Sequence, residues 1–127
     1  MSASLSIQLM VLPFDFSVCQ ITVPSEIPFD EEFVFFGKTD DEFSLVCRTE
    51  AVPAHTYARE DGWKAIKIQG ILDFSLVGIL AGIASILAAS KISIFAISTY
   101  NTDYILIKEE SLVTAEAVLT HSGYIFI

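Results

Sequence analysis

The second half of the chain alternates between two hydrophobic periods. Ile68 to Leu72, Ile92 to Thr99 and Tyr104 to Ile107 are short apolar runs that read as strands. Between the first two, Ile79, Leu80, Ile83, Ile86 and Leu87 fall at three- and four-residue spacings, which predicts a helix with one buried face. Asp73 or Ser75 can cap its start. A second helix fits Leu112 to His121, Gly123 ends it, and Tyr124 to Ile127 returns as a last strand. The first sixty residues have another grammar. Leu5 to Leu12, Phe16 to Val23, Phe33 to Phe36 and Phe43 to Cys47 look like short strands, punctuated by Pro13, Pro24, Pro28 and the acidic turn Lys38 to Glu42. No helix of ordinary length fits there. The polar stretch Thr49 to Gly62 reads as a surface connector between the halves.

The order strand, helix, strand, strand, helix, strand is the split βαβ pattern. It predicts an α+β, ferredoxin-like βαββαβ unit over residues 62–127, preceded by a strand-rich half over residues 1–61. That half is either extra strands on the same sheet or a reduced copy of the second unit. No repeat is legible at the level of identical residues.

Composition narrows the class. Hydrophobic residues make up 53% of the 127, and the mean hydropathy of +0.58 is high for a soluble monomer, so a subunit contact, as in a homodimer, is expected. A formal net charge of −9 and the absence of a Lys/Arg cluster argue against nucleic acid and against anionic membrane surfaces as partners. The apolar run Leu76 to Ala89 is too short for a hydrocarbon core of about 30 Å. Met1 to Leu12 lacks the basic region of a signal peptide, so a cytoplasmic location is expected. Cys19 and Cys47 sit in strand-like runs without a CxxC spacing and read as buried, reduced thiols.

Two loops carry the candidate chemistry. Asp73-Phe74-Ser75-Leu76-Val77-Gly78 ends a strand and opens a helix, so free backbone N–H groups and the positive end of the helix dipole can hold a carboxylate. Gly78 leaves room for close approach, and Ser75 adds a hydroxyl. Ordinary capping explains the same residues without a ligand. Ser98-Thr99-Tyr100-Asn101-Thr102-Asp103 offers hydroxyls at Ser98, Thr99 and Thr102 and, at Asp103, the negative charge that an ammonium group requires. Turn chemistry alone accounts for much of this polarity. Together the loops can hold both α-groups of an amino acid. No catalytic constellation is legible: His55 and His121 have no nucleophile or ligand partner at characteristic spacing. The acidic triplets Asp30-Glu31-Glu32 and Asp40-Asp41-Glu42 lack a metal-loop pattern, and no Gly-rich phosphate loop is present. No catalytic residue, metal or cofactor is therefore expected.

The segment from Leu72 to Gly78, taken with Ile94 to Leu106, resembles the ACT-domain family, in particular its small stand-alone bacterial branch, and is similar to a segment of the CASTOR-type arginine sensors. The resemblance runs from about Gly62 to Gly123 and touches Phe16-Ser17-Val18-Cys19 and Asp41 to Cys47. It implies a non-catalytic regulatory module that binds an amino acid at a subunit or domain interface, with sheets joined side by side. It places ligand contacts at the loop of Asp73, Ser75 and Gly78 and at Ser98, Thr99, Thr102 and Asp103. Where the family often has Thr, this chain has Val77, which removes one hydroxyl from the helix start. The resemblance also implies that residues 1–61 are a degenerate ACT-like half with its helices shortened or lost, and it leaves room for a regulated protein partner. The alternative function is a structural interaction module with a vestigial pocket; a small metabolic enzyme of the same architecture is a weaker third.

Overall fold

The computed structural model describes residues 7–69 and 78–127. Its elements in chain order are β1 (Gln8–Val11), β2 (Phe16–Ile21), β3 (Phe35–Lys38), β4 (Phe43–Arg48), β5 (Thr56–Ile68), α1 (Ile79–Ala89), β6 (Phe95–Ser98), β7 (Asp103–Lys108), α2 (Leu112–His121) and β8 (Ile125–Phe126). One-turn 3-10 segments lie at Pro24–Glu26, Thr49–Ala51 and Glu109–Ser111. The fold is α+β and ferredoxin-like. The chain divides into a first unit, Phe14–Trp63, and a second unit that joins the residues up to Pro13 with Lys64–Ile127.

In the second unit the strands run in the order β8, β1, β5, β7, β6. β1 is parallel to β8 and antiparallel to β5, with Leu9 opposite Ile68 and Val11 opposite Ile66. The N-terminal strand expected from Leu5 to Leu12 therefore pairs inside the second unit, between the first and last strands of its βαββαβ order. Strand propensity marks a strand but not its neighbour. Leu9, Ile66, Ile68, Ile105 and Ile107 from the strands meet Ile83 and Leu87 of α1 and Ala115 and Leu119 of α2 in one buried cluster. Each fully buried Leu or Ile there is worth about 1.5–3 kcal/mol against exposure.

Both helices end in the same way. Gly123, at φ +104°, donates to Thr120 O at 3.0 Å, and Tyr124 N donates to Leu119 O at 3.1 Å. Lys91, at φ +61°, donates to Ala88 O at 2.9 Å, and Ile92 N donates to Leu87 O at 3.0 Å. These are paired Schellman bonds that satisfy the last carbonyls. Because Lys91 turns the chain, the strand expected from Ile92 begins only at Phe95. The helix expected over Leu112–His121 is found at those residues.

The first unit is an antiparallel set in the order β3, β4, β2 and the first part of β5. The polar connector expected from Thr49 to Gly62 is instead a 3-10 turn followed by strand. Tyr57 to Asp61 are exposed, so β5 shows no apolar period there, and backbone pairing to β2 holds it: Gln20 opposite Ala58, Cys19 opposite Arg59 and Val18 opposite Glu60. The strand expected from Phe33 starts at Phe35, because Phe33 sits at φ +58°. Cys19, Ile21, Ile27, Leu45 and Cys47 form the core.

The two units repeat each other at an offset of 60 residues. β3 (Phe35–Lys38) corresponds to β6 (Phe95–Ser98), β4 (Phe43–Arg48) to β7 (Asp103–Lys108), and the 3-10 turn Thr49–Ala51 to Glu109–Ser111. β4 and β7 share one pattern of burial along six residues. The intervening turns also match: Thr39 N donates to Glu42 O at 3.0 Å, as Thr99 N donates to Thr102 O at 2.9 Å. What differs is the helices. Residues 22–34 connect β2 to β3 with half the length of residues 69–94, which connect β5 to β6, and residues 52–55 stand where α2 stands in the second unit.

Candidate ligand site

The β6–β7 hairpin places Ser98 opposite Asp103 at its end. Residue alternation puts both on the face that carries Ile105 and Ile107, the helix-covered face of the sheet. Within the turn, Thr99 Oγ1 donates to Thr102 O at 2.9 Å. Thr102 is buried, and its Oγ1 donates to Ile68 O at 2.7 Å. That bond fastens the hairpin tip to the last residue of β5, where the chain leaves for α1. The hairpin singled out by sequence is thus fastened to the end of β5 within the same unit.

At the far end of that connection, Gly78 is the N-cap of α1 at φ +90°, a conformation that L side chains adopt rarely, and a Cβ there would meet nothing within 4 Å. Gly82 N donates to Gly78 O at 2.8 Å, so the first-turn N–H groups ahead of it have no intrahelical acceptor. Among the described residues no side chain caps the helix. Asp73, Phe74, Ser75, Leu76 and Val77 lie outside the described residues.

Of the hairpin groups offered to a ligand, Thr99 and Thr102 spend their protons inside the protein. Ser98 and Asn101 are exposed, and Asp103 is half-buried with no hydrogen-bond or ion-pair partner for its carboxylate among the described residues. Tyr100 is 81% exposed. A carboxylate without a cation beside a helix-covered apolar face suits an ammonium ion. Sequence reasoning marks Asp103 as a candidate but misses the anchoring role of Thr102, since a hydroxyl reads alike whether it faces solvent or a carbonyl.

Elsewhere the reactive residue types are occupied. Burial pushes the Cys47 thiol up to about 11 and raises that of Cys19, so neither is a ready thiolate. Ser17, fully buried, donates to Asp61 Oδ1 at 2.6 Å and shares a hydrogen bond with Thr49 Oγ1 at 2.9 Å, while Arg59 Nε donates to the same Asp61 oxygen at 2.8 Å. His55 Nδ1 lies 2.7 Å from Glu26 Oε2 on the surface. No cluster of three or more His, Cys, Asp or Glu residues suited to a metal is present among the described residues. No helix among them is long and apolar enough to cross a membrane.

A hairpin held against the first strand of a βαββαβ unit is the arrangement of an ACT-type fold. The chain belongs to the ACT-domain family, whose model matches residues 58–121. A second family model, of an N-terminal domain, matches residues 15–55. Among solved structures, a protein of Agobacterium tumefaciens is 27% identical over 96% of this chain and 92% of its own, with a TM-score of 0.85. A Vibrio cholerae protein of unknown function, described as a possible transport protein, is 20% identical over 91% and 90%, with a TM-score of 0.70. The ligand-free regulatory subunit of aspartate kinase from Thermus thermophilus shares the fold at 9% identity over 91% and 97%, with a TM-score of 0.65. No curated protein sequence matches the chain.

Proposed function

We propose that this protein is a non-catalytic amino-acid sensor: a cytoplasmic, homodimeric ACT protein of the CASTOR-like kind that binds a free amino acid and passes its presence to a regulated protein partner. The observation that carries the reading is the Thr102 Oγ1 to Ile68 O bond, which holds the β6–β7 turn against the strand that feeds α1. In this reading Asp103 receives the α-ammonium, and the backbone from Asp73 to Gly78 at the start of α1 receives the α-carboxylate. The remaining contacts come from Phe74, Ser75, Leu76, Val77, Ser98, Thr99, Tyr100, Asn101 and Thr102. Residues 1–61 act as a second, reduced ACT-like half; the repeat of β3, β4 and their turn at β6 and β7 supports this.

Calorimetric titration with the proteinogenic L-amino acids tests the proposal. One or a few should bind, and their amides and decarboxylated analogues should bind more weakly, because both α-groups are read. Asp103→Ala should weaken binding by about thirty- to a thousandfold, roughly 2–4 kcal/mol, with the melting temperature nearly unchanged. A structural module with a vestigial pocket is favoured by one observation, the internal use of the Thr99 and Thr102 hydroxyls. It requires that no amino acid bind, or that Asp103→Ala and Asp103→Asn leave affinity unchanged.

A further inference from the structure

Tyr124, between α2 and β8, is a buried phenol with an unused hydroxyl. It is 9% exposed, and its ring belongs to the cluster that holds Leu9, Ile68, Ile83 and Leu87. Its backbone is fixed on both sides, since Tyr124 N donates to Leu119 O at 3.1 Å and Ile125 N to Ile7 O at 3.0 Å. A phenol so deeply placed ordinarily finds a hydrogen-bond partner. Among the described residues the Tyr124 hydroxyl has none.

The hydroxyl is aimed at the start of α1. A Cβ added at Gly82 would lie 3.3 Å from Tyr124 Oη, closer than side chains ordinarily pack. Glycine is a poor helix former, yet it stands at the fourth residue of α1, and the phenol oxygen occupies the room it leaves. Because the Cα–Cβ bond tilts toward the helix N-terminus, that oxygen lies over the turn preceding Gly82. The turn opens at Gly78 and carries the N–H groups of Ile79, Leu80 and Ala81, which have no acceptor within the helix. The sheet brings the hairpin tip to the same end of the unit. Leu9 is opposite Ile68, Gln69 N donates to Gln8 O at 2.9 Å, and Gln8 is opposite Ile125, the residue after Tyr124. On the other side of β5, Thr102 Oγ1 reaches Ile68 O.

We infer that the Tyr124 hydroxyl is a ligand-binding group, donating a hydrogen bond to the α-carboxylate of a free amino acid held at the first turn of α1. The inference rests on the amino-acid reading above and adds to it a side-chain donor that neither candidate loop contains. The N–H groups of the turn and the phenol act as donors, and the helix dipole is positive there, so the group received is an anion. Burial of the ring sets the hydroxyl in place before the ligand arrives, which lowers the ordering cost of binding.

The test is calorimetric titration of wild type, Tyr124→Phe, Gly82→Ala and Asp103→Ala with the proteinogenic L-amino acids and their decarboxylated amines. For the amino acid that binds, Tyr124→Phe should weaken affinity about tenfold or more at an unchanged melting temperature, because it removes a donor but keeps the buried ring. The matching amine should bind Tyr124→Phe and wild type alike. Gly82→Ala should weaken the amino acid as well, since the added methyl displaces Oη, while the better helix former holds or raises the melting temperature. Affinity unmoved by Tyr124→Phe, with Asp103→Ala still weakening it, would overturn this inference and leave the amino-acid reading standing. So would equal losses for the amino acid and its amine, or a loss of affinity matched by a fall in melting temperature. Failure of every amino acid to bind the wild type would remove the reading itself and this inference with it.

Discussion

Thr102 is the residue on which the second unit's hairpin geometry turns. It is 4% exposed, and its hydroxyl reaches Ile68 O at 2.7 Å, thirty-four positions away in the chain. Thr102→Val keeps the shape but removes the donor, leaving a carbonyl at the end of β5 short of a partner. The expected cost is about 1–2 kcal/mol, read as a lower denaturant midpoint at unchanged slope, with Thr102→Ser recovering most of it. If the hairpin tip is one wall of a ligand site, Thr102→Val also weakens binding, whereas Asp103→Ala weakens binding alone. The polar character of this turn was legible in the sequence, and so was the ionic candidate Asp103. Which hydroxyls were already spent was not, because Thr99 bonds to Thr102 and Thr102 to Ile68 through contacts that residue type does not encode.

At the scale of elements, the ends of the helices separate what sequence reveals from what it hides. Gly123 announces the stop of α2, since glycine reaches φ +104° without strain, and the helix lies at the residues expected. The matching stop of α1 falls on Lys91 at φ +61°, a residue that gives no such signal, and the following strand was accordingly expected three residues early. A lysine held in the left-handed region costs about 1 kcal/mol, part of which the greater chain entropy of glycine offsets. Lys91→Gly should therefore raise stability by roughly 0.5–1 kcal/mol, measured by thermal and denaturant unfolding, and an unchanged or lower midpoint would count against strain at this cap. β5 escaped notice for another reason. Its first residues are exposed and polar, and pairing with β2 rather than an apolar period makes them a strand. The 60-residue repeat was hidden likewise. Between residues 35–51 and 95–111 only Phe35/Phe95, Thr39/Thr99 and Glu50/Glu110 are identical, while strand length, turn hydrogen bonding and the following 3-10 turn are all kept.

For the molecule as a whole, apolar content and unpaired edges argue for association. Hydrophobic residues are 53% of the chain, and Val113, Ile125 and Ile127 are 80%, 44% and 55% exposed. β3, β6 and β8 each pair with one neighbour among the described residues, so each leaves an edge able to accept a strand from another copy. Opposing this is a net charge of −9 on each chain, which repels a second copy at low ionic strength. The repulsion is screened within about 8 Å at physiological salt, while burial of apolar edges is not weakened by salt. The dimer should consequently tighten as salt rises, the reverse of an interface held by ion pairs. Light scattering at micromolar protein should give about twice the 14.0 kDa chain mass at physiological salt, with dissociation favoured at low salt. A species of 14.0 kDa at every concentration and salt level would mean that the edges and apolar surface serve the monomer alone, and would remove the side-by-side dimer from the proposed function.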